Sequence, residues 1–94
     1  MPAYVIGEVR IIDRAALGGY GEMVARSVAQ YGGRYIARGA EPFVLEGGPA
    51  HNILLIEFPD METAKRWYGS AEYQAAKKLR EGKTNLRLIA IDAA

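Results

Sequence analysis

The sequence predicts an α+β domain, and three observations carry that prediction. Apolar runs with strand character fall at 3–12, 34–46, 53–58 and 85–92. Stripes at helical spacing fall at 14–31 and over two segments between 60 and 80. The resulting order is strand, helix, strand, strand, helix, strand. A four-stranded antiparallel sheet with two helices on one face, the ferredoxin-like βαββαβ arrangement, is the natural closure of that order. Ninety-four residues suit one domain, spanning 1–94.

The first strand, residues 3–12, alternates. Val5, Gly7, Val9 and Ile11 share one face, and Tyr4, Ile6, Glu8, Arg10 and Ile12 share the other. Asp13 has N-cap chemistry for a helix over 14–31, whose apolar stripe is Leu17, Tyr20, Val24, Val28 and Tyr31. Gly18, Gly19 and Gly21 are out of place in a helix interior, where each costs about 1 kcal/mol relative to Ala. They mark an irregular first turn or a close approach to a neighbour. Gly32 and Gly33 stop the helix.

Residues 34–38 and 43–46 suggest one long strand broken by a bulge at Gly39 to Pro42, and Gly47 to Pro49 a turn. The run Ile53 to Phe58 is nearly all apolar and ends at Pro59, which lacks an N–H and disfavours helix before it. Asp60 caps a helix with Ala64, Trp67 and Tyr68 on one face. Ser70 caps a second, with Tyr73, Ala76 and Leu79 inward and Lys77, Lys78 and Arg80 outward. Residues 85–92 give the last strand.

Composition narrows the function classes. No cysteine is present, so there is no disulfide, thiolate nucleophile or Cys-based metal site. A net charge of +1 with interspersed signs is no nucleic-acid footprint. No apolar run reaches membrane-spanning length, and Met1 to Ile12 lacks a signal-peptide pattern, so the expectation is a cytoplasmic protein. The helices cover one face of the sheet. The other carries Ile6, Ile53, Leu55, Ile89 and Ile91, an apolar patch of the kind that marks an interaction surface. The expected partner is a second copy, packed sheet to sheet into a homodimer with a partly polar interior.

Several stretches then resemble a known family: Tyr31 to Gly39 (YGGRYIARG), Leu45 to Gly47 (LEG), Ile56 to Pro59 (IEFP), and Ala64, Trp67, Tyr68, Ser70 and Tyr73. In this order they are similar to the "domain of unknown function 1330" family, over nearly the whole chain. The resemblance implies a ferredoxin-like fold of the dimeric α+β-barrel group and brings no activity with it. The wider group includes cofactor-free monooxygenases, isomerases, haem-binding enzymes and stress-response proteins. The glycines at 18, 19 and 21 lie outside the family pattern.

The best constellation for chemistry is Glu8, Arg10, Glu57 and Arg87, all on the face away from the helices. Glu57, its pKa raised by apolar surroundings, is the candidate general base, and Arg10 or Arg87 the partner of an anionic oxygen. The competing explanation is two ion pairs that set the register of the dimer. His51, the single histidine, is a candidate acid/base or axial haem ligand, against an ordinary loop histidine. Tyr20 and Trp67 are candidates to line a ligand cleft between helix and sheet, against plain core packing. Lys77, Lys78, Arg80 and Lys83 form a solvated basic face at a helix C-terminus. The leading expectation is a homodimer that binds, and converts if it is an enzyme, a small organic molecule without metal or cofactor. The alternatives are a non-catalytic dimerisation module and a haem protein resting on His51.

Overall fold

The two helix starts after residue 58 are set by side chains that satisfy orphan backbone N–H groups. In the computed structural model, which describes residues 1–94, the Asp60 carboxylate accepts from Thr63 N at 2.7 Å and opens the helix Met61–Tyr68.

 The strands are β1 (Ala3–Ile11), β2 (Arg34–Ala40), β3 (Asn52–Phe58) and β4 (Thr84–Asp92). A leading helix spans Tyr20–Gln30, and α1 (Met61–Tyr68) and α2 (Ala71–Arg80) follow β3. Ser70 Oγ accepts from Tyr73 N at 3.1 Å and starts α2 in the same way.

The expected helix over 14–31 divides. Asp13 caps only a short 3-10 turn, Arg14–Leu17, and the leading helix begins after Gly19, whose φ of 79° lies in the left-handed region that glycine adopts freely. The expected strand at 43–46 is absent. β3 starts at Asn52 and its register with β2 closes at Ala40 opposite Ile53, so residues 43–46 have no strand to pair with. Pro42 and Pro49 also remove two donors from this stretch. Phe43 and Leu45 instead stand 88% and 86% exposed on a loop.

The sheet order is β2-β3-β1-β4, with every neighbouring pair antiparallel, as the βαββαβ closure requires. Period-two alternation then sorts the side chains. Ala3, Val5, Ile56 and Phe58 are buried under the helices, together with Val24 and Val28 of the leading helix and Trp67 and Tyr73 above them. Gly7 lets Leu54 and Leu88 approach across β1, since a Cβ there would meet Leu88 Cδ2 at 2.9 Å. The resulting slab is only 16 Å through its thinnest extent: one sheet, one layer of helices, and a second sheet face with no cover of its own.

Candidate functional site

The uncovered face holds the carboxylate singled out from the sequence. Register sets Glu57 beside Tyr4 on β1 and Arg34 on β2. Arg34 Nε donates to Glu57 Oε1 at 2.8 Å, and the Tyr4 hydroxyl donates to Oε2 at 3.1 Å. Both bonds favour the ionised carboxylate, the one from Arg34 most, and hold its pKa below the ordinary value. The same contact raises Tyr4, whose proton the carboxylate holds. The expectation of a Glu57 pKa raised by apolar surroundings is therefore corrected. Its direction is reversed because a cation from β2, unnoticed in the sequence, reaches it.

The other members of the constellation lie elsewhere. Arg87 pairs in register with Glu8, four residues along β1 from Tyr4, so that pair lies about 13 Å along the strands from Glu57. Glu8 and Arg87 line a shallow hollow of about 190 Å³ with Ile6, Ile53 and Ile89. Arg10, two residues further on, lines a separate polar cleft of about 490 Å³ with His51, Arg14, Arg38 and Asn52. The structure thus joins Glu8 to Arg87 and Arg10 to His51, brings His51 together with Glu8 and Arg87 around a further cleft of about 410 Å³, and joins none of them to Glu57. No cluster of three or more His, Asp or Glu side chains is placed to hold a metal ion.

The helix side of the sheet is built around aromatic rings. Phe58, Trp67 and Tyr73 stack in a column with centroid separations of 5.1 and 4.4 Å. Trp67 is 1% exposed, and its Nε1–H donates to Ser27 Oγ at 3.0 Å, which itself donates to Val24 O. Trp67 is primarily a core residue, with one edge reaching a cleft. Tyr20 is half-buried in the leading helix, and burial pushes its phenol up to about 12, with Arg80 pulling weakly the other way.

That cleft lies between the inner face of β4 and the helices α1 and α2, and has a volume of about 540 Å³. Val5, Leu86 and Leu88 line it from the sheet, Ala64 and Trp67 from α1. Lys65, Lys77 and Arg80 are its charged residues, and no carboxylate lines it. Lys77 Nζ donates to the Tyr68 hydroxyl at 3.1 Å. Arg80 was expected on a solvated face. Instead Arg80 and Lys77 are half-buried, while Leu79, expected inward, is 39% exposed. The spacing Tyr73, Ala76, Lys77, Arg80 is itself a helical stripe, the signal that finds this side of α2.

Fold and cleft together define a small ferredoxin-like α+β protein with a ligand-sized space on the helix side of its sheet. The chain belongs to the family described as Domain of unknown function (DUF1330), whose model matches residues 2–94. Among solved structures it is similar to a protein of unknown function from Rhodopseudomonas palustris, at 20% identity over 99% of this chain and 82% of that one, with a TM-score of 0.77. A dimeric ferredoxin-like protein of unknown function from Jannaschia sp. CCS1 shares 8% identity over 99% and 100% of the two chains, with a TM-score of 0.73. SnoaB, a cofactor-independent oxygenase from Streptomyces nogalater, shares 8% identity over 99% and 93%, with a TM-score of 0.60. No curated protein matches the sequence.

Proposed function

We propose that the chain acts as a homodimer that binds a small organic molecule, with the ligand in the β4–α1–α2 cleft of each protomer and the protomers meeting sheet to sheet. The cleft carries the binding half of this reading: about 540 Å³ is within the range of small-molecule sites, and its apolar walls with a few polar groups have the usual composition. Surface area supports the dimer. A compact 10.3 kDa monomer exposes about 5,400 Å², against 6077 Å² here, an excess of roughly 700 Å² that is close to one partner's share of a standard interface. The uncovered face, with Ile89 and Ile91 nearly half exposed, is the apolar surface available for it. Dimeric and cofactor-independent proteins share the fold, which is consistent with a ligand held by side chains alone.

In this reading Glu57, Arg34 and Tyr4 serve the dimer face, and Glu8 with Arg87 gives that face a second polar point. The satisfied state of Glu57 also favours the second reading, a dimerisation module with a purely structural polar interior. Light scattering and protein-observed NMR with a fragment library separate the two. The first reading expects a dimer mass and fragment-induced shifts clustered on Ala64, Leu86 and Leu88. A dimer that no fragment perturbs there leaves only the module, and a monomer at micromolar concentration removes both.

A further inference from the structure

Two buried side-chain polar atoms lack a hydrogen-bond partner, Arg80 Nε and Thr84 Oγ1, and both residues border a second cleft at the junction of α2 and β4, which Glu8, His51 and Arg87 also line. Such orphans are uncommon, and one on a cation more so. The chain contains two ion pairs within 4.0 Å, Arg26 with Glu22 and Arg34 with Glu57, and Arg80 is in neither. Its polar neighbours are phenols: Nη2 donates to the Tyr73 hydroxyl at a long 3.5 Å, and its charge and hydrogen bonding also act on Tyr20. A guanidinium donates two parallel hydrogen bonds to a carboxylate, from its Nε–Nη2 edge or from its two terminal nitrogens. Here Nε is closed off by the protein, and no carboxylate of the chain pairs with the guanidinium.

Arg80 also lines the apolar cleft, where the remaining charges are both lysines. A phosphate dianion would meet the three cations but would gain nothing from Val5, Leu86 and Leu88. A neutral apolar ligand would leave Arg80 unpaired. One planar, singly charged group on an apolar body satisfies both parts.

We propose that the cleft takes an amphipathic carboxylate, its carboxyl group on the guanidinium of Arg80 and its apolar body along Leu86 and Leu88. This assignment rests on the small-molecule reading above and names the ligand class for that site. The Tyr20 phenol beside Arg80 is held protonated by burial, so it offers the guanidinium no competing anion. Lys65 and Lys77 raise the local concentration of anions.

Octanoate and octanol, matched in chain length, are the probes, titrated into the protein and followed by amide NMR shifts. Octanoate is expected to bind roughly tenfold or more tightly than octanol, the weight of a charge-assisted hydrogen-bonded pair, with shifts at Leu86 and Leu88. Arg80→Met should bring octanoate down to octanol. Arg80→Lys, which keeps the charge and loses the fork, should fall between. Equal binding of the two probes to the unaltered protein, or a preference that survives Arg80→Met, overturns the carboxylate assignment and leaves the cleft as a binding site. Absence of shifts at the cleft with either probe overturns both.

Discussion

Glu57 and Arg80 sit on opposite sides of one sheet and differ in what the protein has built around them. Glu57 meets a guanidinium and a phenol, each within 3.1 Å, and its charge is fully answered. Arg80 has a buried nitrogen without an acceptor and no carboxylate within 4.0 Å. A charge whose partners come from the same chain belongs to architecture. A charge without one points to a partner that comes from outside.

The largest effect expected from breaking this comparison is in the core that separates the two residues. Trp67→Ala removes the middle ring of the Phe58–Trp67–Tyr73 column and leaves Ser27 without its donor. A loss of about 3–5 kcal/mol in urea denaturation is expected, a large part of a small domain's stability. A loss below about 1 kcal/mol would show that the helix layer does not depend on that column.

Acid titration sharpens the Glu57 side. A carboxylate whose folded pKa is depressed contributes stability that is present above its unfolded value, near 4.5, and lost as pH falls through the lower folded value. Glu57→Gln should therefore melt below the parent at pH 7, with the gap closing under pH 4. A gap that stays constant with pH would mean that the ion pair with Arg34 carries no weight. Tyr20 runs the other way at the alkaline end: its raised pKa gives stability that is present below the usual phenol value and lost as pH climbs toward about 12.

How much of this was legible in the sequence depends on whether the signal was local. Pro59, Asp60 and Ser70 placed β3, α1 and α2 because each acts on its own neighbours. Alternation put Glu57 on the uncovered face correctly, for the same reason. The break at Gly19 was visible only as an excess of glycine, since nothing local says which one turns left-handed. Residues 43–46 have strand composition, yet pairing is decided by the β2–β3 register, a property of two segments at once. Arg34 reaching Glu57 across strands has that same non-local origin. Arg80 was misplaced because charge was taken for exposure, although its spacing from Tyr73 and Ala76 already put it on the inward stripe.

The most direct test of the difference between the two charges is the melting temperature of Arg80→Met at pH 7 without added ligand. Methionine keeps an unbranched stem and removes a cation that the protein leaves unpaired. The expected result is a melting temperature equal to or above the parent's. A fall of about 4 °C or more, worth about 1 kcal/mol in a domain of this size, would mean that Arg80 is already satisfied within the fold and is not waiting for an anion.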